Sequence, residues 1–213
     1  MKQRYYYDFE TQGLPEADLL RVIPEFEAPG NIKDPTKIAA AIAEKKADWI
    51  DKAALKAISG KIVATTAAWD DEEPIMQTGE EKDLIVAMLA SLKDCISLGV
   101  PAYGWNSSGF DLPFLCQRAA VHGIPAFKHL MVNVRGRFYW HESLVDAKLI
   151  WSNYSPDHTG TSLKTVSAAL GTGIKDGSGK DFAELLLTDR AKAESYAKND
   201  VALLREAVKR MGI

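Results

Sequence analysis

Tyr5-Tyr6-Tyr7-Asp8-Phe9-Glu10-Thr11 is the stretch on which the fold turns. Aromatic residues suit a pleated surface, so Gln3–Asp8 reads as a first strand with acids at its end. Alternation along a strand puts Asp8 and Glu10 on one face. Two carboxylates on one face are fitting ligands for a hard divalent cation, which takes oxygen donors. Taken alone, the pair reads as an exposed acidic strand end.

Two further acids stand in frames of their own: Asp111 in Asn106-Ser107-Ser108-Gly109-Phe110-Asp111, and Asp200 in Tyr196-Ala197-Lys198-Asn199-Asp200. Singly, Asp111 is a helix-start carboxylate and Asp200 a solvated helix residue. Tyr196 and Asp200 are four apart and share a helix face. The three frames in this order fit a converging carboxylate cluster better than three unrelated surface acids. Two cations in such a cluster can clamp the attacking and leaving oxygens of a phosphodiester.

The constellation resembles the DEDD superfamily of 3′–5′ exonucleases. Asp8-Phe9-Glu10-Thr11-Gln12-Gly13-Leu14 is similar to its D-x-E-T-x-G-L motif, Asn106 to Asp111 to N-x-x-x-F-D, and Tyr196 to Asp200 to Y-x-x-x-D. One branch of that superfamily carries His five residues before the last Asp, where this chain has Ser195. The other carries Tyr four residues before it, where this chain has Tyr196. The chain therefore resembles the tyrosine (DEDDy) branch, and its second motif leans towards the proofreading domain of family B DNA polymerases.

The resemblance implies an α/β, RNase H-like fold: a central mixed five-stranded sheet flanked by helices, in one domain over 1–213, with a family-variable insertion at about 15–58. It implies a catalytic set of Asp8, Glu10, Asp111, Tyr196 and Asp200. The four acids would hold two divalent ions, Mg2+ or Mn2+, with Asp111 acting partly through water, and Tyr196 would orient the attacking water. The free tyrosine pKa of about 10 makes it a poor general base at neutral pH. Thr11 and Leu14 would contact the terminal nucleotide. Asn106 would be a backbone or substrate hydrogen-bonder, and Phe110 core support close to substrate. The implied activity is release of nucleoside 5′-monophosphates from 3′ ends of single-stranded DNA. An exoribonuclease of the same chemistry and a non-catalytic nucleic-acid-binding module are the alternatives. A replication or repair protein is a compatible partner.

Composition agrees with a folded enzyme. The chain has 213 residues, 46% hydrophobic and 26% charged, enough for a well-buried core. The formal net charge of −3 argues against tight non-specific duplex binding, which needs a basic surface, and suits a short footprint on a strand end. The start lacks the apolar core of a secretory signal, and no window reaches the length of a membrane span. Cys95 and Cys116 fit reduced thiols. A cytoplasmic, membrane-free enzyme is the expectation. The chain ends at Ile213 soon after the last motif, so a proofreading enzyme of this kind is expected to be free-standing or to act in trans.

Outward from the opening stretch, Lys61–Trp69 and Pro74–Thr78 read as strands joined by the acidic turn Asp70-Asp71-Glu72-Glu73. Glu80–Leu98 has helical spacing at Leu84, Met88 and Leu92, with Gly99 as a stop. Pro101–Trp105 reads as a strand, and Leu112–His122, Ser143–Trp151, Ser162–Leu170, Phe182–Leu187 and Asp189–Met211 as helices. Pro24, Pro29 and Pro35 make the first half of the insertion irregular, and Lys37–Ile58 reads as helix. Its Lys45, Lys46 and Trp49 form a solvated basic face or a lip for single strands. Arg135 and Arg137, on a hairpin, are a second candidate contact. Gly171–Lys180 fails the phosphate-loop spacing and reads as a loop whose Lys175 and Lys180 could reach phosphates. The four histidines lack zinc spacing. Asp146 reads as a structural cap or a residue behind the ligands.

Overall fold

The computed structural model describes residues 3–155, 161–174, 179 and 182–213. The first strand, β1, spans Tyr5–Gly13, followed by helices α1 (Glu16–Val22) and α2 (Pro35–Asp51). Strands β2 (Gly60–Trp69) and β3 (Ile75–Thr78) precede α3 (Glu81–Leu98), β4 (Ala102–Gly104), α4 (Asp111–Val121) and α5 (Phe127–Leu130). Next come β5 (Met131–Val134), β6 (Arg137–Trp140), β7 (Leu144–Asp146) and α6 (Ala147–Trp151). Helices α7 (Leu163–Leu170), α8 (Phe182–Thr188) and α9 (Arg190–Met211) close the described chain. Two compact units emerge, one of Met1–Glu10 with Ile62–Ile213, the other of Thr11–Lys61.

Five strands form one sheet in the order β3-β2-β1-β4-β7. β2 and β3 are antiparallel, while β1–β4 and β4–β7 are parallel, with Tyr6 beside Tyr103 and Gly104 beside Asp146. This mixed sheet, flanked by helices, is the RNase H-like fold that the motifs imply. Being central, β1 is covered on both faces, which explains its run of large apolar residues. Tyr6 joins Tyr103, Val201, Leu204 and Val208 in the core on the α9 side. Tyr5 turns the other way, its hydroxyl 3.9 Å from the Met88 sulfur of α3. Along α3, Leu84, Ile85, Met88, Leu89, Leu92 and Cys95 are buried at helical spacing, and Gly99 at φ 64° stops the helix in the left-handed region.

Where the structure departs from the sequence reading, local chemistry explains it. The first strand runs to Gly13 instead of ending at Asp8, so the acids lie within it. Ser143–Trp151 is not one helix: Leu144–Asp146 is the edge strand β7, and only Ala147–Trp151 is helical. Leu144 and Val145 take the pleat beside β4. Asp146 then ends the strand by capping the helix, accepting from the Lys148 and Leu149 amides. In the smaller unit, Glu16–Val22 forms a helix in the stretch read as irregular. The helix read over Lys37–Ile58 ends at Asp51, with a 3-10 turn at Ala53–Leu55. A Cβ on Gly60 would lie 2.9 Å from the Ala53 carbonyl oxygen, so that turn closes down against a glycine.

Arg135 and Arg137 do belong to a hairpin, β5–β6, with Val134 opposite Arg137. Its two turn residues, Arg135 at φ 53° and Gly136 at φ 81°, have the left-handed conformation of a tight hairpin. Both cysteines are free and buried, and burial pushes each thiol up to about 12. No helix among the described residues is long and apolar enough to cross a membrane.

One buried charge cluster ties β2, α3 and α4 together. Glu81 Oε1 accepts from the Ile62 amide at 2.8 Å and from Arg118 Nε at 2.8 Å; Oε2 accepts from Arg118 Nη2 at 2.6 Å and faces His122 Nε2 at 2.8 Å. Burial alone would raise the Glu81 carboxyl, but Arg118, His122 and the Ile62 amide together hold it below the usual range. A depressed folded pKa means that its stabilisation is present above about pH 4.3 and is lost as pH falls through the folded value. Glu81→Gln removes the charge that offsets buried Arg118 and is expected to cost about 3–5 kcal/mol. Thermal unfolding at neutral pH reads that loss, and the gap between variant and wild type narrows as pH falls below about 4.

Candidate metal centre

The alternation of β1 builds the site. Tyr5, Tyr7 and Phe9 share one face, their ring centroids 6.3 and 5.7 Å apart. Tyr6, Asp8 and Glu10 fall on the other face, the one that α9 covers. On α9, Ala197, Val201 and Leu204 are buried, and this packing turns Asp200 towards β1. Carboxylate oxygens of Asp8, Glu10 and Asp200 then all lie within 4.8 Å of one another. Asp8 is half-buried, Glu10 is 7% exposed and Asp200 3%. Oxygens at about 2.1–2.5 Å from one Mg2+ or Ca2+-sized ion would be separated by up to about 4–5 Å, so the triplet fits a single hard cation.

Asp111, the first residue of α4, is 3% exposed. Burial, and then the Asp8 carboxylate, push its carboxyl well above the usual range; hydrogen bonds from its own backbone and that of Phe9 offset only part of this. Its Oδ1 is buried without a hydrogen-bond partner. An orphaned acceptor beside Asp8 suits a bound cation or its water. Among the described residues no tight carboxylate triplet includes Asp111.

The loop that delivers Asp111 is fixed by Asp146. The Asp146 carboxylate accepts from the Asn106 amide at 3.0 Å, the Ser108 amide at 3.0 Å and the Ser108 hydroxyl at 2.6 Å, besides capping α6. One side chain thus satisfies the turn after β4 and the helix after β7, the structural role read for it. Gly104 is required here, because a Cβ would lie 2.5 Å from the Ser107 Cβ. Asn106 sits at φ 63°, and its Oδ1 accepts from Lys148 Nζ at 3.0 Å. Asn106 therefore bonds through its backbone and also holds a lysine, which the sequence reading missed. The signal was weak: Lys148 stands two positions after Asp146, and contact with Asn106 needed β7 to be a strand.

Tyr196 lies one turn before Asp200, 8% exposed, its ring 6.0 Å from that of Phe182. A Cβ on Gly179 would be 3.8 Å from the Tyr196 hydroxyl and 3.9 Å from a Glu10 carboxylate oxygen, so both polar ends face Gly179. Phe110 is half-buried against Phe114, centroids 5.5 Å apart, rather than a core residue. Thr11 and Leu14 belong to the smaller unit, where the Thr11 hydroxyl donates to the Ala54 carbonyl at 2.8 Å and the Leu14 amide to the Ser59 carbonyl at 2.8 Å. Lys175 and Lys180 lie outside the described residues.

No protein-family model matches the chain, and no curated protein matches it in sequence. Among solved structures, the family B DNA polymerase from the hyperthermophilic archaeon Pyrobaculum calidifontis is similar to it, with a TM-score of 0.60 and 16% identity. The similarity covers 99% of this chain and 24% of the polymerase chain. At that identity it is a likeness of fold.

The raised Asp111 carboxyl gives a testable sign. An acid whose folded pKa lies above its unfolded value destabilises the fold wherever it is ionised, and the penalty fades below about pH 3.9. With chelator present at pH 7, Asp111→Asn is expected to raise Tm by about 2–4 °C, the shift worth about 1 kcal/mol at this chain length. A lower Tm in the variant would contradict the burial and repulsion described.

Proposed function

We propose that the protein is a metal-dependent 3′–5′ exonuclease that shortens single-stranded DNA from its 3′ end and releases nucleoside 5′-monophosphates, in replication or repair within the cytoplasm. The observation that carries this reading is the meeting of Asp8, Glu10 and Asp200 within 4.8 Å, with Tyr196 one turn away on the same helix. Two independent likenesses support it. The motifs resemble the proofreading domain of family B DNA polymerases, and the fold is similar to a family B DNA polymerase.

In this reading Asp8, Glu10 and Asp200 hold the cation between them, and Asp111 completes the cluster through a water. Two Mg2+ or Mn2+ ions, when bound, supply charge that lowers the pKa of water and stabilises the leaving oxygen. Tyr196, fixed against Phe182, orients the attacking water with its hydroxyl. That water adds to phosphorus, the P–O3′ bond breaks, and the departing 3′ oxygen takes up a proton. Lys148, held by Asn106 at the C-terminal edge of β4 and β7, places a cation where ligands gather in parallel sheets and meets a backbone phosphate. Arg135 and Arg137 on their exposed hairpin are further phosphate contacts. Few cations are needed, in keeping with the net charge of −3.

A denaturing-gel time course on 5′-labelled single-stranded DNA and matched RNA tests the reading, with Mg2+, Mn2+ or chelator. The expected result is a metal-dependent ladder that shortens from the 3′ end, stronger on DNA. Asp8→Ala and Asp200→Ala each remove ligation worth several kcal/mol and are expected to lower the rate about 10³-fold or more. Tyr196→Phe costs less, about 10²-fold. A ladder preferred on RNA would reassign the substrate, and intact strands in every lane would leave a binding module.

A further inference from the structure

The sheet ends in β3, whose outer edge pairs with no strand among the described residues. Residues 75–78 make no backbone hydrogen bond beyond their ladder with β2 among the described residues. On one face of β3, Met76 packs against the cluster of Val63, Phe182 and Tyr196. The other face carries Ile75, 63% exposed, opposite Ala67. Beside Ile75 a cavity of about 180 Å³ opens between the sheet and α3, floored by Tyr5, Ala67, Trp69 and Met88. At about 30 Å³ per water, that is room for a bulky apolar side chain.

The rim supplies the second half of the recognition. Glu72 and Glu73 line the same cavity. Their neighbours in the turn are engaged: Asp71 pairs with Lys209 at 2.6 Å, and Asp70 accepts from the Arg4 amide at 2.8 Å. Glu72 and Glu73 form no ion pair among the described residues. Two acids outside any close ion pair, with Lys198 near enough to Glu73 to feel its charge, thus flank an apolar hole at the start of an open edge strand.

We infer that the β3 edge is a docking site for an extended segment of a partner protein that alternates bulky apolar residues with lysine or arginine. The segment adds a strand to β3 through main-chain hydrogen bonds, drops one apolar side chain beside Trp69 and Ile75, and sets its cations against Glu72 and Glu73. A second copy of this chain suits the edge poorly. Antiparallel pairing of β3 with itself would bring Glu73 near Glu80 of the other copy, and like charges exclude that partner. The site shares none of the proposed metal ligands, so it stands apart from the nuclease reading.

The test is an amide-shift NMR titration of the full chain with a six-residue peptide alternating lysine with valine and leucine, beside the same peptide carrying glutamate for lysine. The expected result is saturable shifts at the amides of Ile75–Thr78 and at the Trp69 indole, with the basic peptide at least tenfold tighter. The double substitution Glu72→Lys and Glu73→Lys, both on exposed side chains, is expected to reverse that preference, and Ile75→Asp to weaken both peptides without loss of spectral dispersion. Equal binding of the two peptides, or shifts confined to other surfaces, would overturn the inference. So would sedimentation as a dimer that Ile75→Asp dissociates.

Discussion

Repulsion among carboxylates is the condition that the larger unit must meet. Oxygens of Asp8, Glu10 and Asp200 lie within 4.8 Å of one another, and Asp111 is buried beside Asp8. Two like charges about 4 Å apart oppose each other by about 4 kcal/mol at an effective dielectric of 20. Three such contacts would be comparable to the stability of a whole domain. The acids stay together because each is placed by packing outside the cluster: Asp8 and Glu10 by the central strand, Asp200 by the apolar face of α9, and Asp111 by the start of α4. A bound cation would turn this repulsion into affinity, so the arrangement that costs the fold is also one that suits a metal ion.

The scaffold is stiffened where the acids are delivered. Asp146 satisfies the turn that leads to Asp111 and the first turn of α6 at once, so the Asn106 loop has little freedom to relax away from Asp8. On the opposite face of the sheet, Glu81 joins β2 to α3 and α4 through Arg118 and His122. That pair of nodes fixes the sheet from both sides of β1. Because β1 is covered on both faces, a displacement of either helical layer would move Asp8 and Glu10 relative to Asp200.

Much of this was legible in the chain itself. The alternation of Tyr6, Asp8 and Glu10, and the four-residue spacing of Tyr196 and Asp200, are local facts that survive folding, and the structure brings these residues together. Asp146 was read as a structural cap or a residue behind the ligands, and it does cap α6. What escaped was non-local. Leu144–Asp146 is three residues long and becomes a strand only because β4 lies beside it; alone, it reads as the first turn of the helix that follows. The Lys148–Asn106 and Glu81–Arg118 contacts depend on elements far apart in sequence, and no periodicity announces them. Within the smaller unit, the helix after Asp51 stops because a turn closes on Gly60, a tertiary cause that a helical pattern over Lys37–Ile58 conceals.

Carboxylates from β1 and α9 converge on what would be a single cation site. Titration of the protein with Mn2+, followed by the loss of the free-ion electron paramagnetic resonance signal, tests it most directly. The account predicts saturable binding in the wild type, weakened at least tenfold by Asp200→Asn and equally by Asp8→Asn, while the far-UV circular dichroism of both variants is unchanged. Mn2+ binding that is absent in the wild type, or that survives both substitutions undiminished, would contradict it.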